Sequence, residues 1–254
     1  MSLLRYGWTA LIAFVAINGP AKADVVFTDN TFNLSNYNTT TPFATDPSIS
    51  IAVTQCATCG FGSTAGLQTI ATLTSTPGQE SAGETLVNTT FHYNPSVQGA
   101  ITSIDGSVEK DIFTSLTGTG FGNAFRLTIE QGGVFYLDPI PGLSFTGPNS
   151  ATNPGYALIS GTDLLASDFV SYDPTTGATG SGHPNFAGSA MLFGLTQNSG
   201  SAGTGTITAD YDNLNIDLHT VPEPASLTIL ASALVGLGLF RRRRVGRSNP
   251  PRGA

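Results

Sequence analysis

Basic side chains are nearly absent from the central part of this 254-residue chain. Between residues 24 and 221, Lys110 and Arg126 are the only Lys and Arg residues, against sixteen Asp and Glu, which gives this region a net charge near −14. A protein that binds nucleic acid or an anionic membrane surface needs clustered positive charge, so we predict neither as a partner. An acidic surface is compatible with cation binding and with solubility outside the cell.

Cysteine is also scarce. The single pair, Cys56 and Cys59, offers half of a structural zinc site, and Gly60 stands where a haem-attachment motif needs histidine. A thioredoxin-like role would need a βαβ context, which the pattern does not predict. We therefore predict a local disulfide that stabilises little because its loop is short, with redox chemistry, metal binding and free thiols as alternatives.

Motifs for catalysis are missing as well. The chain has no Gly-x-Ser-x-Gly and no phosphate-binding glycine loop, and His92, His183 and His219 stand apart from one another without metal-ligand spacing. We predict that the protein is not an enzyme. The alternative is a glycoside hydrolase, whose paired carboxylates would be brought together only by the fold.

The N-terminus has the pattern of an export signal. Arg5 precedes an apolar stretch over 8–17, and Ala21-Lys22-Ala23 provides the small-x-small pattern that signal peptidase needs. We predict a signal peptide over residues 1–23, cleaved before Asp24.

The C-terminus combines a rigid motif, a short apolar run and a basic cluster. The motif over 221–225 contains Val221, Pro222, Glu223 and Pro224, and it precedes a predicted transmembrane helix over 226–240. This helix is short for a hydrocarbon core of roughly 30 Å. The basic cluster over 241–247 begins with Arg241, Arg242, Arg243 and Arg244. Positive charge stays on the cytoplasmic side, so residues 248–254 form a predicted cytoplasmic tail and residues 24–220 a domain outside the membrane.

These C-terminal residues, in this order, resemble the PEP-CTERM sorting signal of Gram-negative bacteria. The resemblance implies recognition by an exosortase near Pro222-Glu223-Pro224, a cytoplasmic-membrane intermediate held by the C-terminal helix, and delivery to the cell surface or extracellular matrix. Whether the helix is then removed stays open. The body also resembles an exported domain of no settled activity that is common among such proteins, through stretches such as 91–95, 99–105 and 209–214.

The region 24–220 is rich in Thr, Ser, Gly, Asn and β-branched residues and contains short alternating segments, so it is predicted to be all-β. Phe125, Leu127 and Ile129 alternate with polar residues, and Gly132-Gly133 then predicts a hairpin. In the last strand the apolar series changes phase at Asp212-Asn213, which predicts a β-bulge there. Roughly ten strands predict an antiparallel two-sheet sandwich, a concanavalin-like jelly roll. A single helical turn is expected over 162–169.

Asp210, Asp212 and Asn213 cluster at the predicted bulge and are candidate calcium ligands, because calcium prefers several hard oxygen ligands. If the first and last strands pair, Asp29 and Asn30 would approach them. The alternative is that all of these residues are solvated at a strand edge. No other cofactor is predicted.

Two functional hypotheses follow. The first is a structural or adhesive protein of an exopolysaccharide matrix or biofilm, and the second is a lectin-like module that binds polysaccharide, with or without calcium. Sugar sites often use tryptophan, yet the only one, Trp8, lies in the predicted signal peptide. Candidate stacking residues are therefore Tyr136, Tyr156, Tyr172 and Tyr211.

Overall fold

The fold is seen in a computed structural model that describes residues 24–40, 42–74, 80–115, 121–138 and 155–221. The predicted signal peptide, the predicted membrane helix and the arginine cluster lie outside these residues. Within the described ranges, no helix is long and apolar enough to cross a membrane.

Thirteen strands make up most of the described structure, together with one short helix, α1 (Pro95–Gln98). The strands are β1 (Val25–Asp29), β2 (Tyr37–Thr39), β3 (Phe43–Ala44), β4 (Ser50–Cys56), β5 (Gly66–Leu73), β6 (Glu80–Tyr93), β7 (Ile101–Thr114), β8 (Phe121–Gln131), β9 (Val134–Leu137), β10 (Ala157–Leu164), β11 (Val170–Tyr172), β12 (Met191–Ser201) and β13 (Gly205–Thr220).

The strands form two antiparallel sheets, as the sequence predicts. Sheet A has the order β10-β7-β13-β5-β4, and β1 pairs with the second half of β13 beside β5. Sheet B has the order β11-β9-β8-β12-β6-β2, and β3 pairs with β6. Because β7 and β13 run side by side for most of their length, their alternating residues define the two faces of sheet A.

One hydrophobic core fills the space between the sheets. Leu127 and Phe193 from sheet B and Ile104 and Ile216 from sheet A are all fully buried in it. Each such side chain stabilises the fold by roughly 1.5–3 kcal/mol when it leaves water. The period-two alternation of the sequence is therefore the pattern of a strand with one face in this core.

Both predicted irregularities are confirmed. Gly132 and Gly133 have φ values of 62° and 80°, as a two-residue hairpin turn between β8 and β9 requires. In β13 the pairing with β7 shifts between Asp212 and Asn215, and Asn213 adopts a φ of 52°. The bulge keeps Tyr211 and Leu214 buried on the same side of the sheet.

Other local predictions need correction. The helical turn expected over 162–169 is instead the end of β10 followed by a 3₁₀ turn, Ala166–Asp168, because Leu164 still pairs with Ile104. The Gly- and Ser-rich composition of residues 198–205 predicts a turn, but β12 continues to Ser201 and β13 begins at Gly205. The structure has thirteen strands where the sequence predicts roughly ten, because β2, β3 and β11 have at most three residues each, too few to show a period.

Candidate functional site

Part of the outer face of sheet B is covered by the chain itself. Phe43, Leu137 and Tyr172 form a second small buried cluster, supported by Phe135. The loop after β11 crosses over it, since a Cβ at Gly177 would lie 2.9 Å from the Phe43 ring. Under this cover the hydroxyls of three buried threonines bond one another at 2.8 Å, from Thr85 through Thr196 to Thr128.

The outer face of sheet A contains an open groove of about 280 Å³, which we call the sheet A groove. Its polar side chains come from alternating positions of β7, β10 and β13, and Leu158 is 65% exposed at its side. The lining residues are Asp105, Gly106, Ser107, Leu158, Ser160, Gly161, Thr162, Asn215 and Asp217. The groove therefore combines hydroxyl, amide and carboxylate groups with an exposed apolar side chain.

A hydrogen-bonded histidine contacts Asp105 of the sheet A groove. Nε2 of His219 lies 3.2 Å from Oδ2 of Asp105, and Nδ1 lies 3.2 Å from Oδ1 of Asp24. These hydrogen bonds, with Asp105 contributing most, raise the pKa of His219 above 6.5. Asp24, Asp217 and His219 also bring their ligand atoms within 4.8 Å of one another, a grouping that the sequence did not single out.

The His219 network predicts a pH-dependent contribution to stability. Because the folded pKa is raised, the contribution is fully present below the unfolded pKa and is lost as pH rises through the folded pKa. We expect His219→Gln to lower the free energy of unfolding at mildly acidic pH by on the order of 0.5 kcal/mol, and to leave it unchanged in alkaline solution. Urea unfolding across this pH range measures the difference.

His92→Gln is the matched control, because His92 is exposed on β6, in the other sheet. The free energy of unfolding of this variant should depend on pH in the same way as that of the unchanged protein. A His219→Gln profile that is shifted equally at every pH would contradict the titration of His219 as the cause.

At the other end of sheet A's outer face, a short loop carries the disulfide. Cys56 and Cys59 are bonded to each other, and the hydroxyl of Tyr156 donates to the carbonyl of Cys59. Phe61 is 52% exposed and packs edge-on against the Tyr156 ring, with the ring centroids 5.7 Å apart. Burial and the nearby acids, among them Asp210, raise the pKa of Tyr156, so its hydroxyl stays protonated and available as a donor.

The candidate calcium residues lie beside this loop, where each is bonded to the protein. Asp212 accepts hydrogen bonds from the amide of Phe61 and the hydroxyl of Thr64, at 2.8 and 2.9 Å. Asp210 accepts from Gln68 at 2.9 Å, and Asn213 donates to Glu109 at 2.6 Å.

The first strand does pair with the last, as predicted, but Asp29 lies opposite Leu214. Its carboxylate binds the turn that follows, accepting from the amides of Thr31 and Phe32 and from the hydroxyl of Tyr37. Calcium binding at Asp210, Asp212 and Asn213 therefore stays a prediction, with no described contribution from Asp29.

Two of the candidate stacking tyrosines are buried. Tyr211 is fully buried in the core, and Tyr172 is 8% exposed under the loop on sheet B. Tyr136 and Tyr156 remain partly exposed. A strand position shows only which residues share a face, so the sequence could not tell a covered face from an open one.

Of the sorting residues, Val221 is described. It is 49% exposed and follows directly on β13, which ends at buried Thr220. Pro222, Glu223, Pro224 and the arginines Arg241 to Arg244 lie outside the described residues. Val221 therefore marks the point at which the chain leaves the last strand of sheet A.

Comparison with known families identifies the C-terminal segment. Residues 220–244 match the model of the PEP-CTERM protein-sorting motif. The chain carries this sorting motif. It indicates export by way of a membrane-anchored intermediate and placement at the cell surface or outside the cell, as predicted.

Comparison with solved structures yields similarities of low identity. A carbohydrate-binding module from a study of mannan recognition, TmCBM27, is 12% identical over 78% of this chain and 99% of that chain, with a TM-score of 0.40. A module from the β-sandwich superfamily is 13% identical over 77% and 74%, with a TM-score of 0.37. A xylan-binding domain from Paenibacillus barcinonensis is 12% identical over 80% and 99%, with a TM-score of 0.31. No curated protein matches.

Proposed function

We propose that this exported domain is an adhesive component of the cell surface or extracellular matrix that binds polysaccharide in the sheet A groove. The observation that carries the proposal is the difference between the two outer faces. The centre of sheet B is covered by its own aromatic cluster and loop, and the cavity of about 320 Å³ on that side is lined by edge strand β11 and the loop itself. Sheet A presents an open groove of about 280 Å³ that is lined by side chains of three strands.

The chemistry of the groove suits a sugar chain. Sugars present hydroxyl groups and apolar C–H faces, and binding sites for them combine a few placed polar groups with apolar surface. Ser160, Thr162 and Asn215 are exposed polar side chains of the groove, and Leu158 offers an exposed apolar surface next to them.

Charge favours a neutral polysaccharide. Asp105 and Asp217 line the groove, Lys110 is buried in the core, and Arg126 belongs to sheet B. A polyanion would therefore be repelled unless a divalent cation lay between the two partners. Calcium would be that bridging cation for an acidic polysaccharide, whereas a neutral polysaccharide would bind without it.

The experiment is a titration of the purified chain against neutral and acidic bacterial polysaccharides, with calcium and again with a chelator. We expect Asn215→Ala to weaken binding about tenfold, the effect of losing one well-placed hydrogen bond. The matched control is Asn38→Ala, the same change at an exposed position of sheet B, which should leave the affinity unchanged.

Equal losses of affinity in both variants would mean that the polysaccharide does not bind in the sheet A groove. Flat titrations against every polysaccharide, with and without calcium, would overturn the proposal and favour a structural role through self-association.

A second candidate, hydrolysis, is favoured by one observation. Asp105 and Asp217 lie directly opposite each other on β7 and β13, and both line the groove. Cross-strand partners hold their side chains about 5 Å apart, and glycoside hydrolysis needs two carboxyl groups on either side of the scissile bond. Release of new reducing ends during the same titrations, abolished by Asp217→Asn, would support it.

A further inference from the structure

Lys110 is buried in the core of the sandwich. It lies on β7 between the core residues Val108 and Ile112, points inward, and is 2% exposed. A charged ammonium is costly in such a place, and burial lowers the pKa of Lys110 to about 7. A large fraction of its amine is therefore neutral, and so nucleophilic, in neutral or mildly alkaline solution.

The amine contacts a buried side-chain carboxamide from the other sheet. Nζ of Lys110 donates to Oδ1 of Asn123 at 2.8 Å and to the Asn123 backbone carbonyl at 3.0 Å. Asn123 lies on β8 of sheet B and is 1% exposed. Amine and carboxamide are thus held together where water is excluded, which is the positioning that accelerates a reaction between two groups.

The surroundings of Asn123 polarise its carboxamide. The hydroxyl of Tyr211 donates to Oδ1 at 3.1 Å, and burial raises the pKa of Tyr211, so the phenol stays protonated. On the other side, Nδ2 donates to Oγ of Ser199 at 2.8 Å and to Oε1 of Gln197 at 3.4 Å. A donor therefore faces the oxygen that would become negative, and the bonds to Ser199 and Gln197 fix the orientation of the carboxamide.

We propose that Lys110 and Asn123 form an intramolecular amide bond that joins sheet A to sheet B. Nζ attacks Cγ of Asn123, the hydroxyl of Tyr211 stabilises the negative charge on Oδ1, and the Cγ–Nδ2 bond breaks. Nδ2 departs as ammonia with the proton that Nζ gives up. The reaction exchanges one amide for another, so it needs no oxidant, reductant or co-reactant.

A second observation concerns a buried amide group next to Asn123 that lacks a hydrogen-bond partner. Gln197 is fully buried, and in the part of the chain that the structure describes its Nε2 is buried without a hydrogen-bond partner. A buried network that served only to fix the core would be expected to satisfy its members. One polar atom next to Asn123 is therefore left unsatisfied before any reaction.

The bond would matter for a protein of the cell surface. It would tie β7 to β8 across the core, so that pulling forces or proteases could not separate the two sheets without breaking a covalent bond. This inference goes beyond the proposed function and does not depend on polysaccharide binding, since it concerns the opposite face of sheet A.

The charge composition provides a direct test. Between residues 24 and 221, trypsin can cut only after Lys110 and Arg126, and it does not cut after a lysine whose amine is acylated. We expect the full chain, incubated in mildly alkaline solution, denatured and reduced, to have lost the mass of one ammonia molecule. Trypsin should then release residues 23–126 as one fragment.

Three variants distinguish the cross-link from other causes of a mass loss or of a missing tryptic cut. Asn123→Ala should retain its full mass and release residues 23–110 and 111–126 separately, whereas Asn38→Ala should remain cross-linked. Tyr211→Phe keeps the ring and removes the donor, so we expect cross-linking to slow severalfold while circular dichroism stays unchanged.

Two results would overturn the inference, and neither requires a variant to fold. One is an unchanged mass together with cleavage after Lys110, which would leave Lys110 and Asn123 joined only by a hydrogen bond. The other is loss of ammonia with cleavage after Lys110 still occurring, which would place the loss at another side chain.

Discussion

Replacing Gly194 by alanine is expected to lower the free energy of unfolding by about 3 kcal/mol, the upper range for forcing extra atoms into a packed site. Gly194 lies in the middle of β12, where it pairs with Val87 of β6 and Thr128 of β8. A Cβ there would lie 2.0 Å from the carbonyl oxygen of Leu86 and 2.7 Å from the Cα of Val87. Both are backbone atoms, so no side chain can rotate away and the strands themselves must separate.

Gly122→Ala is the matched control, because Gly122 lies in the neighbouring strand β8 and nothing would lie within 4 Å of its Cβ. We expect this change to be neutral or slightly stabilising, since alanine restricts the unfolded chain. Urea unfolding measures both variants, and the denaturant slope should not change. Equal losses of unfolding free energy in the two variants would contradict the close approach of β6 as the cause.

Asp212→Ala is expected to cost about 3 kcal/mol, because it leaves partly buried donors without an acceptor. Asp212 is 2% exposed, and its carboxylate accepts from the amides of Phe61 and Asn213 at 2.8 and 2.7 Å and from the Thr64 hydroxyl at 2.9 Å. The loop that carries Phe61 should open. Urea unfolding should report the loss of stability, and chymotrypsin should cut faster after Phe61.

The comparison for Asp212 is Asp173, which makes similar bonds in an exposed turn. Its carboxylate accepts from the amide and the hydroxyl of Thr175 at 2.8 and 2.7 Å. Water can replace this acceptor, so Asp173→Ala should have a much smaller effect. If calcium bound at Asp212, Asp212→Ala would also remove any stabilisation by calcium, and Asp173→Ala would keep it.

The bulge in β13 illustrates what a sequence pattern can predict. The phase change between Tyr211 and Leu214 is visible in the sequence because apolar residues must face one core, and the structure confirms both the bulge and its place. The same pattern placed Asp210 and Asp212 together on the outer face. It could not predict their partners, since Gln68 and Phe61 are more than a hundred residues away in the sequence.

The sequence contains a signal for the cluster around Lys110. Lys110 occupies the inward position between Val108 and Ile112, where the alternation requires an apolar residue. A lysine at an inward-facing position of a strand is an exception to this alternation, and it predicts a buried partner. The identity of that partner, Asn123, depends on how β8 packs across the core and is not readable from β7 alone.

The sequence by itself determined the destination of this protein and the class of its fold. A sorting motif and a period-two alternation are local patterns, because each is formed by residues that are close together in the sequence. The tertiary structure alone decided which face stays open, since covering sheet B depends on Phe43, Leu137 and Tyr172 meeting from three separate strands. It likewise brought Asp24, Asp105 and His219 to one end of the groove. Contacts of this kind arise from strand pairing and packing across long sequence separations, which no local pattern encodes.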